Sequence, residues 1–526
     1  MRSADRPPLW FWCIPLVVAL LRMLPVLMLR VTPPPPGQTY LGVSYIPKDF
    51  LQYAAFSRQV IADGAFLFYN PFTTEPQSAR FVLLFQWLVG LAARVSGLSA
   101  IDALEWSRVP LVFLFFAALW WFLKPILPER RNRLAATLLV GFAGSLETFV
   151  RPFGPELLPK AFDLRLQQDT SPLHGWSLFA SFYNPLWIAG LCAGLVVLRP
   201  LLFSRERSLR ALACAGLAFA LLFFVHPYTA LGVAVIAVLC PVLELLARER
   251  PDWRRQLTNA LVLGAAGLVV GGISLWQLQD PVYRRSTGGV FGAQSLSALW
   301  YPLTLGLLGV MAVVGARRWA RDRHPTRAAV FGWIAGIAVL HWPPVLNGYK
   351  FVFLLPLPVC ILAAPVAREW LGGLRGPGWR PRALALVAGV ALFGGAALQT
   401  LDALRSTRRV SAVPADAMEL VEALSAEPAG NALVPSGLGN ILPAFTPHRV
   451  WVGHWFLTPD FFVREQLYQR FTTNRGAGDQ LRAVLREERI RYLVVPAGRA
   501  DFVVKQLGRE VGEGRTYGEL ELLDLR

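Results

Sequence analysis

Asp49, Arg80, Arg108, Glu147, Asn184, His226, His341 and Lys350 stand beside long hydrophobic runs, where an uncompensated charge or amide is costly. Their types suit a transfer reaction. A carboxylate such as Asp49 or Glu147 can take a proton from a hydroxyl, and Arg80, Arg108 or Lys350 can neutralise a phosphate. Asp49 has Lys48 beside it and Tyr53 one helical turn on, so it suits a general base or, if a metal is used, a metal ligand.

Each residue also has a structural reading. Asp is an ideal N-cap for a helix that starts at Phe50. Glu147, within Gly144-Ser145-Leu146-Glu147-Thr148, must pair, protonate or face a wet cavity. His226 opens the turn His226-Pro227-Tyr228 and His341 precedes Trp342-Pro343-Pro344, where a satisfied interface histidine fits as well as a ligand. Lys350, after Asn347-Gly348-Tyr349, either meets a lipid phosphate or snorkels to the interface.

These residues must be carried by membrane helices. Apolar types make up 54% of the 526 residues and charged types 16%, well under the usual quarter, which points to a polytopic membrane protein. Runs long enough to span are expected near 9–29, 106–123, 134–150, 176–198, 211–225, 227–246, 258–277, 298–315, 328–344, 350–367 and 383–400. That makes about eleven spans. The 9–29 run lacks a small-residue cleavage site, so it reads as an uncleaved first helix with its N-terminus inside.

Five Arg-rich loops, at 124–133, 199–210, 248–255, 317–327 and 368–382, supply most of the formal net charge of +18. Lys and Arg flanking spans are retained in the cytoplasm, so the polar residues above fall at the outer ends of their helices. The apolar stretch 81–95 would invert the loop 124–133 if it crossed, and reads as an interfacial or re-entrant helix. No segment interleaves basic and aromatic residues on a polar surface, so the basic balance does not indicate nucleic acid. All five cysteines lie in apolar segments and suggest neither disulfides nor zinc.

Residues 1–404 thus form a transmembrane domain with a long first external loop, 32–80, in which 48–63 reads as an amphipathic helix on the outer membrane surface. Residues 405–526 change to a small extracytoplasmic α/β domain. Strands are expected at 432–435, 449–453 and 490–496, and helices at 438–445, 461–471 and 479–488. The tail has no phosphate-binding glycine loop and no nucleophile elbow.

The order of these parts resembles the GT-C superfamily of integral membrane glycosyltransferases: a first helix, a long external loop with an early acid in Pro47-Lys48-Asp49-Phe50, many spans, and an external tail. The tail adds Asn440-Ile441-Leu442-Pro443-Ala444, Val452-Gly453-His454-Trp455, Thr458-Pro459-Asp460 and Ile490-Arg491-Tyr492-Leu493-Val494-Val495. The resemblance implies a bacterial or archaeal cytoplasmic-membrane enzyme that moves a sugar from a polyprenyl-phosphate donor to an extracytoplasmic acceptor. It assigns base catalysis or metal coordination to Asp49. Lys48 stands where a second carboxylate would complete an acidic pair, which leaves use of a divalent cation such as Mg or Mn open. A lipid or glycan transporter, a flippase and a non-catalytic glycan-binding protein are the rival classes. No internal repeat of the kind common in transporters is visible.

Overall fold

The computed structural model describes residues 6–44, 47–144, 182–203, 209–246, 253–288, 300–322, 324, 326–341, 348–372, 378–473, 477–507 and 514–525. They form two compact units. One comprises Met1–Leu24, Ser107–Gly272 and Phe291–Leu404, the other Pro25–Trp106, Ile273–Val290 and Arg405–Arg526.

Among the described residues, six helices are long and apolar enough to cross a membrane: Leu9–Val31, Ala100–Leu123, Pro185–Phe203, Pro227–Glu244, Gln256–Leu278 and Trp379–Val410. Leu257, Leu261, Leu268 and Leu275 share one face of the fifth and are all exposed, an apolar stripe that lipid would satisfy. The interior of the first unit is close-packed around Phe115, Phe116, Phe182, Leu195 and Trp333. Glycines set its tightest crossings. A Cβ on Gly315 would lie 2.0 Å from the Leu362 carbonyl oxygen, so the helix Trp300–Arg321 meets Pro356–Gly372 backbone to backbone.

Several expected spans are shorter or broken. The stretch 350–367 starts as a 3-10 turn, Gly348–Leu354, before the helix Pro356–Gly372, because Pro356 can open a helix but disfavours helical geometry in the residue before it. The helix Trp300–Arg321 breaks at Gly306, whose φ is 47°. The helix Arg130–Phe142 covers the start of 134–150, and 145–150, with Glu147, lie outside the described residues.

In the second unit, the first-loop helix Pro47–Asp63 is not a surface helix. Phe50, Leu51, Ala54, Ala55, Phe56, Ser57, Gln59 and Val60 are buried, more than one face, so protein takes the place expected for lipid. The helix Leu84–Ser96 lies against it at Gly90, where an added Cβ would come within 2.5 Å of the Val60 Cβ, and the Ser57 hydroxyl donates to the Gln86 carbonyl at 3.0 Å. Its 13 residues extend roughly 20 Å at 1.5 Å per residue, short of the ~30 Å hydrocarbon core.

Strands β1 (Gln38–Tyr40) and β2 (Ala412–Pro414) pair antiparallel, tying the first loop to the start of the tail. The tail forms a five-stranded sheet in the order β4-β3-β5-β7-β6, from β3 (Asn431–Leu433), β4 (Arg449–Val450), β5 (Ile490–Pro496), β6 (Arg515–Tyr517) and β7 (Leu520–Asp524). β3 is parallel to β4 and β5, while β7 is antiparallel to β5 and β6. One apolar core gathers Leu433, Trp451, Val452, Tyr468, Phe471, Leu481, Leu493 and Val495 with the helices Phe461–Thr473 and Gly478–Glu487.

Candidate active site

Three separate stretches of the second unit are locked together around the first loop. Asn70 is buried, and its Nδ2 donates to the Leu457 carbonyl at 2.7 Å and to the Ser286 hydroxyl at 3.1 Å, while its Oδ1 accepts from the Phe72 N–H at 2.9 Å. Glu75 pairs with both Arg285 and Arg464. Asp280 accepts from the N–H groups of Val282 and Tyr283 at 2.9 and 3.0 Å, capping the helix Pro281–Gly288, and from the Ser78 N–H at 2.8 Å. These bonds leave little freedom to the loop that follows Asp49.

Asp49 sits in the first turn of Pro47–Asp63, not at the N-cap, because the helix begins two residues earlier at Pro47. Its side chain is 38% exposed, and among the described residues it makes no hydrogen bond; Nε2 of His454 lies 3.9 Å from its Oδ1. His454 itself is buried. Its Nδ1 accepts the Phe456 N–H at 3.3 Å, and its carbonyl accepts the N–H groups of Leu457 and Thr458. The Thr458 hydroxyl accepts from the Gly453 N–H at 3.1 Å and donates to the Phe72 carbonyl at 2.8 Å, and the rings of Phe72 and His454 are 5.7 Å apart.

The His454 loop is held from below by two glycines. A Cβ on Gly439, in the helix Ser436–Phe445, would sit 2.0 Å from the Val452 carbonyl oxygen, and one on Gly453 would sit 2.5 Å from the Gly439 carbonyl oxygen. The same helix is fastened to the first-loop helix, since Arg58 Nε donates to the Pro443 carbonyl at 3.1 Å. Backbone contact of this closeness admits only glycine, and it brings a residue 405 positions away in sequence to the side of Asp49.

The remaining expected site residues divide by unit. In the second, Lys48 is exposed, Tyr53 is buried with its ring 6.0 Å from that of Phe50, and Arg80 Nη1 donates to the Trp276 carbonyl at 2.8 Å and to Gln279 Oε1 at 3.1 Å. In the first unit, Arg108 is fully buried and its Nε donates to the Tyr183 carbonyl at 2.7 Å. The guanidinium of Arg22, also fully buried, stacks 3.8 Å from the Tyr183 ring. Asn184 caps Pro185–Phe203, its Oδ1 accepting the Leu186 N–H at 3.0 Å. His226 caps Pro227–Leu246 through the Thr229 N–H, and its Nδ1 lies 2.7 Å from the Thr229 hydroxyl. Lys350 Nζ donates to the Tyr228 hydroxyl at 3.1 Å, and His341 is buried at the end of Arg327–His341.

Two groups escaped the sequence. His454 was visible only as part of a tail motif, and nothing in its spacing tied it to Asp49. Arg22 was visible as the one charge inside the first span. Asp49 and His454 offer two donors to a divalent metal, and among the described residues no three His, Cys, Asp or Glu side chains gather.

No protein-family model and no curated protein matches the chain. Solved structures do. The oligosaccharyltransferase of Archaeoglobus fulgidus is similar over 93% of this chain and 69% of its own, with TM-score 0.56 and 11% identity. ArnT from Cupriavidus metallidurans, solved bound to undecaprenyl phosphate, is similar over 99% of both chains, with TM-score 0.55 and 13% identity. The mycobacterial arabinofuranosyltransferase AftD is similar over 98% of this chain and 41% of its own, with TM-score 0.54 and 17% identity. The chain has the fold of the GT-C membrane glycosyltransferases.

Proposed function

We propose that the protein is a membrane glycosyltransferase that moves a sugar from a polyprenyl-phosphate donor to an extracytoplasmic acceptor, a cell-envelope glycan, lipid or protein. The observation that carries the reading is an exposed first-loop carboxylate with no hydrogen bond among the described residues, on a fold shared along its full length with a protein solved bound to undecaprenyl phosphate. Asp49 removes the proton of an acceptor hydroxyl as its oxygen attacks the anomeric carbon. The bond from that carbon to phosphate breaks, its electron pair leaves on the phosphate, and a cation stabilises the charge that develops. Lys350 and Arg80 are the candidate cations. Both Arg80 and Arg108 donate to backbone carbonyls, but Arg108 is fully buried and Arg80 is not.

The proposed arrangement has about eleven spans, a cytoplasmic N-terminus and an extracytoplasmic 405–526. In a variant without the five native cysteines, a cysteine at the exposed Asp479 should react with an impermeant maleimide in intact cells and one at Ala320 should not. The reverse pattern would invert the protein. For the chemistry, Asp49→Asn should abolish transfer with expression and insertion intact, whereas near-normal glycosylation by this variant would sink the assignment.

A further inference from the structure

We infer that His454 is the positioning residue of Asp49, holding the carboxylate on the line of the acceptor hydroxyl through its Nε2–H. The inference rests on the proposed role of Asp49 and adds a second residue to it. Because Nδ1 accepts the Phe456 N–H, the neutral ring carries its proton on Nε2, the nitrogen that faces Asp49. Nε2 is buried and has no hydrogen-bond partner among the described residues, a costly state for a donor unless a group comes to it. Asp49 Oδ1 at 3.9 Å is beyond hydrogen-bond reach by under 1 Å, and contacts of this kind tighten when a site fills.

The imidazole cannot simply turn away. Its carbonyl accepts the N–H groups of Leu457 and Thr458, its Nδ1 accepts the Phe456 N–H, the Phe72 ring lies beside it, and Gly439 and Gly453 fix the height of its loop. The mobile partner is therefore Asp49, on an exposed first turn. A short move of its side chain completes the bond and leaves the second carboxylate oxygen for the substrate proton. A rigid donor behind a movable base orients it without taking part in the proton transfer itself.

Transfer kinetics of Asp49→Asn, His454→Phe, His454→Gln and the Asp49→Asn, His454→Phe pair in reconstituted membranes test this, with thermal melting of each. His454→Phe keeps the ring shape and should lower kcat by about 10²-fold, the cost of a reacting group displaced by about 1 Å, with donor KM and melting temperature unchanged. His454→Gln, which restores an N–H at similar reach, should recover most of the loss. The pair should be no slower than Asp49→Asn alone. Full activity in His454→Phe beside a dead Asp49→Asn would overturn the inference and leave Asp49 as the base. A loss that glutamine does not rescue, or one that tracks a lowered melting temperature, would make His454 merely structural. An active Asp49→Asn would remove the base and the inference together.

Discussion

Asn184 and Asp49 stand at comparable places, one immediately before the membrane helix Pro185–Phe203 and the other in the first turn of the loop helix Pro47–Asp63. Both helices open on proline, and both polar residues lie where free N–H groups make them cheap. The oxygen of Asn184 is spent on the Leu186 N–H, and its carbonyl accepts from Trp187 and Ile188. The carboxylate of Asp49 makes no hydrogen bond among the described residues, partly in solvent and facing a buried imidazole. Position at a helix end marks both alike. What separates them is whether the fold has already used the side-chain oxygens: that of Asn184 caps a helix, although its Nδ2 is buried without a hydrogen-bond partner among the described residues, and the Nδ1 of His226 is used as a cap in the same way.

The comparison breaks most sharply at Asp49. Both Asp49→Ala and Asp49→Ser should cut transfer by about 10²- to 10⁴-fold, the contribution of a general base. A residue that only favoured the helix start would be rescued by serine, so recovery in Asp49→Ser would erase the distinction from Asn184.

Lys350 is the intermediate case, because its ammonium already donates to Tyr228 yet is only half-buried. Lys350→Gln should raise donor KM by about tenfold or more, the worth of one charge-assisted hydrogen bond, and Lys350→Arg should preserve part of it. Unchanged donor dependence in reconstituted membranes would move Lys350 to the structural side and pass the phosphate to Arg80.

Asn184→Ala should cost about 1 kcal/mol of stability, as the loss of a cap does, with kcat held. Melting in detergent and a transfer assay read the two separately. A collapse of kcat at unchanged stability would put Asn184 in the site.

The smallest effect concerns His448 in the tail. Its Nε2 donates to the Leu424 carbonyl at 2.7 Å, and its Nδ1 lies 3.1 Å from the Gly430 N and 3.3 Å from the Gly430 carbonyl. Burial holds its pKa below the ordinary 6.5, with Arg58 and Arg491 acting the same way against the bonds to Leu424 and Gly430. The unfolded chain then takes up the proton first, so stability is full above about pH 6.5 and falls as pH drops through and below it. Melting temperature should decline between pH 7 and 5, and less steeply in His448→Gln. A rise on acidification would contradict the assignment.

Much of this architecture was legible because apolar runs carry it. The central strand Ile490–Pro496 is an apolar run broken only by Arg491 and ended by proline, and its expected bounds match. The expected strand 449–453 shortens to Arg449–Val450, since Val452 and Gly453 leave the ladder to meet Gly439. β1 and β2 gave no signal: Gln38-Thr39-Tyr40 is short and polar, and its partner lies more than 370 residues on. The first-loop helix had the right bounds and the wrong surroundings, because periodicity shows that a face is apolar without showing whether lipid or protein covers it. Asp49 was legible as a residue type at a place. His454 was not, since only the folded chain brings it across.

The central claim is that a bond to the lipid carrier is broken. Purified protein in vesicles, given polyprenyl-phosphate sugars labelled in both the sugar and the phosphate, measures it directly. The account predicts one free polyprenyl phosphate for each sugar that reaches the acceptor, and neither with Asp49→Asn. Label that crosses the bilayer with sugar and phosphate still joined would make the protein a transporter and contradict it.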